Sequence, residues 1–377
     1  MLKKRILFVL VQLDAGGSER IVLELAKGLD PEQFDVYVAA FKSGVLDEEF
    51  RSVCKNVFIV EKKPGFDKDA IKQFSKIIKL NNIDVVNAHH YMPLFYSFFG
   101  TKLFNDKRIV YTEHSVPEVE RVTSTLHGYL FYWMLFRIYA VVGVSRAVTA
   151  KFVERYPGHT GKFREILNGV DVENFYTGGK RAAVREQFGL PNDCFVVGTV
   201  ANFRRIKNHL CLVRAAARLK DDYPQLRLLF VGTGAAGDPE NSEPEIRSLL
   251  RELHLESRVI FAGYQDDIPA MLSAFDAFCL PSFSEGLPVS ILEAMSARVA
   301  VIGSAVAGIS EVVENRVTGL TFPSDDDEQL AVRLREVLED KHLAKQLIAN
   351  AYTFASQAHD KQIFHDGYLK VFQGGHV

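Results

Sequence analysis

The sequence predicts an α/β protein built from two doubly wound, Rossmann-like domains. Three observations carry that expectation. The chain has 377 residues, more than one ordinary core organises and enough for two. Short, mostly apolar runs without strict alternation recur between amphipathic helical stretches, the pattern of parallel strands buried on both faces. The alternation also restarts once, after a polar stretch near the middle of the chain.

In the first half the strand candidates are 5–11, 35–41, 57–60, 84–88, 108–112 and 140–144. In the second they are 195–200, 227–231, 258–262, 277–280 and 299–303. Ile21, Leu25 and Leu29 share one helical stripe between them, and Leu210, Val213 and Ala217 another. Residues 172–193 lack a strand pattern and hold Gly178-Gly179 and Gly189-Leu190-Pro191, which reads as a linker with one helix. The domains expected are therefore 1–175 and 176–355. Residues 356–377 end a helical stretch from 345 to 373. Asp325-Asp326-Asp327-Glu328 reads as a helix N-terminus.

The bulk numbers exclude several classes. Formal net charge is −2, which argues against a nucleic-acid partner. Residues 1–175 carry a net +3 and the remainder −5. Cys54, Cys194, Cys211 and Cys279 have no metal or redox spacing and read as small core residues in a reducing compartment. The basic start followed by Ile6–Val11 has no cleavage site and reads as a strand feeding a glycine loop, not a signal peptide. Arg137 interrupts the apolar run 126–142, which is not read as a membrane span. The expected location is cytoplasmic.

Four constellations fall at the strand ends where α/β sheets bind ligands. Gly16-Gly17-Ser18-Glu19 follows the first strand, where two glycines and a helix N-terminus suit an anion; a capped tight turn is the bland alternative. Asn87-Ala88-His89-His90 ends another strand. Alternation along a strand lets only one of His89 and His90 point into a cleft between the domains, for acceptor binding or proton handling. Glu113-His114 raises the same question. Asn202-Phe203-Arg204-Arg205-Ile206-Lys207-Asn208 places guanidinium and ammonium groups before a helix, a diphosphate site or else a solvated basic loop. Finally, Glu285-Gly286-Leu287-Pro288 leads into a helix carrying Glu293-Ala294-Met295, where a carboxylate in apolar surroundings needs hydroxyl partners.

With its two glutamates, this last stretch resembles the signature of the family-four retaining glycosyltransferases of the GT-B fold. The resemblance extends through Gly143-Val144-Ser145, Asn168-Gly169-Val170-Asp171, Val231-Gly232-Thr233-Gly234, Phe261-Ala262-Gly263-Tyr264 and Val317-Thr318-Gly319-Leu320. It implies two domains facing across a cleft, a last helix within 356–377 crossing back to the first domain with Tyr368 and Phe372 as docking residues, and closure about a hinge near 172–180 and this crossing. It implies transfer of a hexose or N-acetylhexosamine from a nucleotide-diphosphate sugar, a UDP-sugar by default, with retention of configuration. The acceptor would be a glycan or lipid-linked glycan in cell-surface or exopolysaccharide synthesis. Arg204 or Arg205, with Lys207, would neutralise the diphosphate; Glu293 would hold the ribose; Glu285 with the main chain of Gly286, Leu287 and Pro288 would hold the sugar. Gly16 and Gly17 would admit a phosphate, Gly263 and Tyr264 would line the base, and His89 or His90 would face the reacting centre. No metal or other cofactor is expected, since cations and a helix N-terminus can stabilise the leaving group.

The sequence departs from the family pattern downstream. Arg298 and Ala300 replace an expected Gly and Pro; Ala305 and Ala307 replace an Asp and a Gly, and the Ala307 methyl is expected to narrow a loop near the donor phosphate. Tyr129, Phe131, Tyr132, Trp133, Phe136 and Tyr139 crowd one segment, which reads either as a core helix or as a peripheral membrane contact through 126–142 at the inner face. A nucleotide-sugar epimerase and a non-catalytic nucleotide-sugar-binding protein are the competing readings.

Overall fold

A computed structural model describes residues 3–101, 107–123, 126–175, 179–235 and 237–374; Gly178 of the glycine pair lies outside the described residues. Two compact units result, Met1–Asn168 with Gln362–Val377, and Gly169–Lys361.

The first unit holds a seven-stranded sheet of β1 (Lys4–Gln12), β2 (Phe34–Lys42), β3 (Asn56–Ile59), β4 (Val85–His89), β5 (Arg108–Glu113), β6 (Ala140–Gly143) and β7 (Phe163–Glu165). Their order is β3-β2-β1-β4-β5-β6-β7, and the pairings are parallel. The apolar run Ile6–Leu10 is fully buried because helices cover both faces of the sheet. Order reverses beside β1, whose neighbours are β2 and β4. The last helix, Lys361–Gln373, belongs to this unit. Tyr368 is fully buried with its hydroxyl 3.3 Å from Thr112 Oγ1, and Phe372 meets Phe8 edge-on.

The second unit holds six parallel strands, β8 (Phe195–Val200), β9 (Leu226–Val231), β10 (Val259–Gly263), β11 (Ala277–Leu280), β12 (Ala300–Ser304) and β13 (Leu320–Phe322), in the order β10-β9-β8-β11-β12-β13. Here the order reverses beside β8, between β9 and β11. Strands β7 and β13 escaped the sequence reading because each is three residues long with a polar centre, Phe163-Arg164-Glu165 and Leu320-Thr321-Phe322, and so makes no apolar run.

Two further readings are corrected. The supposed linker helix, Arg181–Gln187, is part of the second unit's body: Arg185 is 3% exposed and donates to Asp276 Oδ2 at 2.7 Å and to the carbonyl of Ala274. The closing helical stretch is also two helices, Lys341–Ala358 and Lys361–Gln373. They part where the Val170 N–H donates to the His359 carbonyl and the Lys361 N–H donates to the Val170 carbonyl. All four cysteines are buried and free.

Candidate functional site

In each unit, sequence-nominated residues lie at the carboxyl ends of the strands beside the point where strand order reverses, with Gly263 and Tyr264 apart from it at the end of the edge strand β10. The point of reversal is the crevice at which doubly wound sheets bind ligands.

In the first unit, β1 leads through Gly16 into the helix Gly17–Gly28, and Gly16 is the extended N-cap residue. A methyl group on Gly17 would meet nothing within 4 Å, whereas one on Gly16 would meet the Glu19 carboxylate oxygen at 2.2 Å. Glu19, in that first turn, is buried and accepts from Ser18 Oγ at 2.8 Å. Burial raises its carboxyl above the ordinary value. Neighbouring β4 ends at His89, fully buried.

Parallel register puts His89 beside Thr112 of β5, which brings His114 into reach. His89 Nδ1 lies 2.8 Å from His114 Nε2, and His89 Nε2 lies 3.1 Å from Asn87 Oδ1. Asn87 uses its amide nitrogen to donate to Thr112 Oγ1. Its oxygen therefore faces His89, which fixes the tautomer: His89 donates through Nε2 and accepts from His114 through Nδ1. Burial holds His89 down at about 3 and His114 well below its ordinary value, so both stay neutral.

His90 behaves differently. Its φ is +70°, so it leaves the strand and the alternation stops before it. The two histidines do not point apart: the rings of both pack on His114, with centroids 5.1 and 4.9 Å away. Of the pair, His90 keeps 27% of its side chain exposed. Its Nδ1 is 3.2 Å from Glu113 Oε1 and its Nε2 is 3.4 Å from Ser18 Oγ. Burial pushes its pKa down, but the Glu113 carboxylate, with Glu19 and Glu118 behind it, more than offsets this and raises it.

Glu113 organises the cluster. It is fully buried and accepts from Tyr111 Oη at 2.5 Å, from the His114 N–H at 2.7 Å and from the Ser115 N–H at 3.2 Å. Sequence reasoning ranked it below His89 and His90. The signal that finds it is strand adjacency, because β5 lies beside β4 and ends level with it.

In the second unit, β8 runs into the basic loop and β11 into the Glu285 loop. Lys207 Nζ donates to Glu285 Oε1 at 2.7 Å, with the two side chains 23% and 10% exposed. Ser282 Oγ donates to the same oxygen at 2.6 Å. The Phe283 N–H donates to the Ile206 carbonyl at 2.8 Å, joining the two loops. Phe203, 1% exposed, anchors the basic loop against Phe230, Phe261 and His209. The two arginines diverge. Arg205 makes a bidentate pair with Glu245, while Arg204 Nε stands 3.8 Å from Asp238.

Glu293 sits one turn into the helix Val289–Ser296, which Pro288 caps without an N–H of its own. Gly263 ends β10 at a φ of +69°, which a side chain would strain, and Tyr264 follows it.

The altered downstream loop has a physical explanation. Ala307 is exposed and opens the helix Ala307–Ser310. The close approach is one residue later: a methyl group on Gly308 would lie 2.0 Å from the Gly286 carbonyl oxygen and 2.5 Å from that of Glu285. The glycine that this loop requires is therefore present. Arg298, standing where a glycine was expected, has a φ of +59°. Its guanidinium lies 4.0 Å over the Tyr352 ring, a contact that offsets part of the left-handed strain.

The aromatic segment is divided between core and surface. In the helix Leu126–Leu135, Phe131 and Met134 are fully buried core, while Tyr129 is 79% exposed and Tyr132 and Trp133 are each 46% exposed. Among the described residues no helix is long and apolar enough to cross a membrane.

Comparison with known proteins fits this layout. The model of the family described as glycosyl transferases group 1 matches residues 180–354, and that of Glycosyltransferase Family 4 matches residues 15–174. The chain is 26% identical over 345 residues to an Escherichia coli UDP-Gal:alpha-D-GlcNAc-diphosphoundecaprenol alpha-1,3-galactosyltransferase, covering 87% of this chain and 86% of that one. It is 25% identical over 367 residues to a Campylobacter jejuni protein, the N-acetylgalactosamine-N,N'-diacetylbacillosaminyl-diphospho-undecaprenol 4-alpha-N-acetylgalactosaminyltransferase, covering 93% and 94%. Among solved structures it superposes on Anabaena Alr3699/HepE in complex with UDP and glucose with a TM-score of 0.86. That match has 23% identity and covers 98% and 99% of the two chains. The fold is accordingly that of the GT-B glycosyltransferases, with two Rossmann-like units.

Proposed function

Since the chain belongs to the family-four glycosyltransferases, the glycosyl transferases group 1, we propose that it moves a hexose or N-acetylhexosamine from a UDP-sugar to a lipid-linked glycan with retention of configuration. The observation that carries this reading is the Lys207–Glu285 pair, set where β8 and β11 end. The ammonium is held where it can leave the carboxylate for a diphosphate. Glu285 is then left to accept from sugar hydroxyls.

In the proposed reaction, an acceptor hydroxyl attacks the anomeric carbon on the face from which the diphosphate departs. The carbon–oxygen bond to the diphosphate breaks, and the hydroxyl proton passes to a departing phosphate oxygen. Lys207 stabilises the charge that develops there, with Arg204, whose carboxylate neighbour is the more distant, or Arg205, which exchanges its exposed pair with Glu245 for the diphosphate. Gly286 and Leu287 frame the sugar around Glu285, Glu293 takes the ribose, and Gly263 and Tyr264 line the base. None of these steps calls on a metal. On the first unit, the open space beside Gly17 at the start of the helix Gly17–Gly28, next to Gly16, would admit a phosphate. The half-open His90 is the histidine that meets the acceptor, with His89 buried behind it as a support. Lipid-linked acceptors are named in both curated relatives, and the exposed face of helix Leu126–Leu135 suits peripheral contact with the membrane that would carry them.

The test is turnover of a panel of UDP- and GDP-sugars with a polyprenyl-diphosphate glycan acceptor, the product's anomeric configuration being read by NMR. Transfer from a UDP-hexose with retention is expected. An inverted product, or turnover of GDP-sugars alone, would overturn the reading.

A further inference from the structure

The acidic run that begins at Asp325 does more than start a helix. Asp326 caps the helix Asp327–Glu339, its side chain accepting from the Gln329 N–H at 2.9 Å. Asp327 pairs with Arg218 of the helix His209–Leu219. Asp325 lies ahead of both, in the turn between β13 and the helix Asp327–Glu339, with a φ of +64°. Its Oδ1 accepts from Asn208 Nδ2 at 3.0 Å and from Arg214 Nη2 at 3.2 Å. Arg214 belongs to the helix that Asn208 opens, so one carboxylate holds that helix at its cap and along its side.

Asn208 directly follows Lys207, and it too is left-handed, with a φ of +50° and a ψ of +43°. Asparagine and aspartate are the side chains that bear this conformation most readily. It turns the chain from the short segment Arg205–Lys207 into the helix His209–Leu219. The main chain of Asn208 serves both: its N–H donates to the Arg205 carbonyl and its carbonyl accepts from the Cys211 N–H, each at 3.0 Å. An asparagine at a helix start ordinarily offers its side-chain oxygen to the first N–H groups of the helix. Among the described residues Asn208 makes no such bond; it is 4% exposed, and its amide donates to Asp325 instead. Two left-handed residues, 117 positions apart, are thus tied to one another by their side chains.

We propose that Asp325 is a positioning residue for Lys207: through Asn208 it fixes the left-handed turn that presents the ammonium to the donor diphosphate. This rests on Lys207 being the cation that meets the diphosphate. The tie acts one residue away from that cation, whose Nζ reaches Glu285 Oε1 at 2.7 Å. Misplacing a group by about 1 Å can cost about a hundredfold at a reacting centre, so the register of this turn matters to the site. Asp325 itself needs no contact with the substrate. A bond that only packed the turn onto the helix would show in stability and leave nucleotide binding alone.

The experiment measures the UDP affinity of the full chain by calorimetry, with urea unfolding alongside. Lys207→Ala should weaken UDP binding by about ten- to a hundredfold. Asp325→Gly removes the acceptor at a backbone position that glycine adopts freely. It should weaken UDP binding about fivefold with little change in the urea midpoint. Asp325→Asn keeps an oxygen for the Asn208 amide and should restore the affinity to within about twofold of wild type. Asn208→Gly cuts the same bond from the other side and should weaken binding at least as much as Asp325→Gly. In a Lys207→Ala background, Asp325→Gly should change nothing further, because the residue acts through the lysine. The proposal is overturned if Asp325→Gly or Asn208→Gly binds UDP like the wild type. It is also overturned if Asp325→Asn is as weak as Asp325→Gly, or if the loss persists in the Lys207→Ala background. Wild-type affinity in Lys207→Ala would overturn the diphosphate role of Lys207 itself, and this proposal with it.

Discussion

The two units reach the same topological position with opposite chemistry. At the carboxyl ends of β4 and β5, the polar groups are bonded to one another around a sealed centre: Glu113, His89 and Asn87 have no exposed surface, while His90 at the rim keeps 27% of its side chain open. At the ends of β8 and β11 they are paired but partly open, with Lys207 23% and Glu285 10% exposed. A buried network of neutral and paired groups is rigid and costly to break. A half-open ion pair is cheap to exchange for another anion. The first arrangement suits holding one shape; the second suits trading partners with a charged substrate.

Substitutions can break this contrast. Lys207→Ala should lower kcat/KM by about 10²–10³ while leaving urea stability nearly unchanged, since the pair is part-exposed. A large loss of stability instead would place it with the sealed network. Glu113→Gln should do the reverse, destabilising the protein by about 3 kcal/mol in urea titration because four donors lose a charged acceptor. Gly308→Ala should cost about 1–3 kcal/mol and raise KM for the donor, because the added methyl must move the Gly286 carbonyl.

His90 sharpens the comparison through pH. Its folded pKa lies above 6.5, so its pairing with Glu113 contributes fully below that value and fades as pH rises through the folded pKa. The stability gap between wild type and His90→Gln, about 1 kcal/mol, should therefore be widest in acid and close at alkaline pH. Arg298→Gly should have the smallest effect, within about 1 kcal/mol, because relief of left-handed strain and loss of the Tyr352 contact oppose one another. A drop well beyond that would show the guanidinium carries more than a ring contact.

Much of this was legible in the sequence. Buried parallel strands write themselves as apolar runs, so eleven strands were visible. The Glu285 loop was visible because a glycine, a proline and two carboxylates in nine residues have few other uses. What stayed hidden depends on neighbours far apart in sequence. That His90 curls back onto His114 follows from a positive φ that no periodicity announces. That Arg205 pairs with a carboxylate follows from Glu245, forty residues downstream. The tolerance of Ala307 follows from which of two adjacent residues meets a carbonyl.

The docking of Tyr368 and Phe372 on the first sheet has a consequence for synthesis. As the chain leaves the ribosome, β1 to β7 emerge first, yet the helix that covers Phe8 and Thr112 emerges last, after the whole second unit. The nascent first unit must wait with an apolar slot uncovered while the second, contiguous in sequence, folds to completion. Residues 1–168 made alone should therefore bind chaperones or aggregate, and adding residues 362–377 as a separate peptide should restore their solubility.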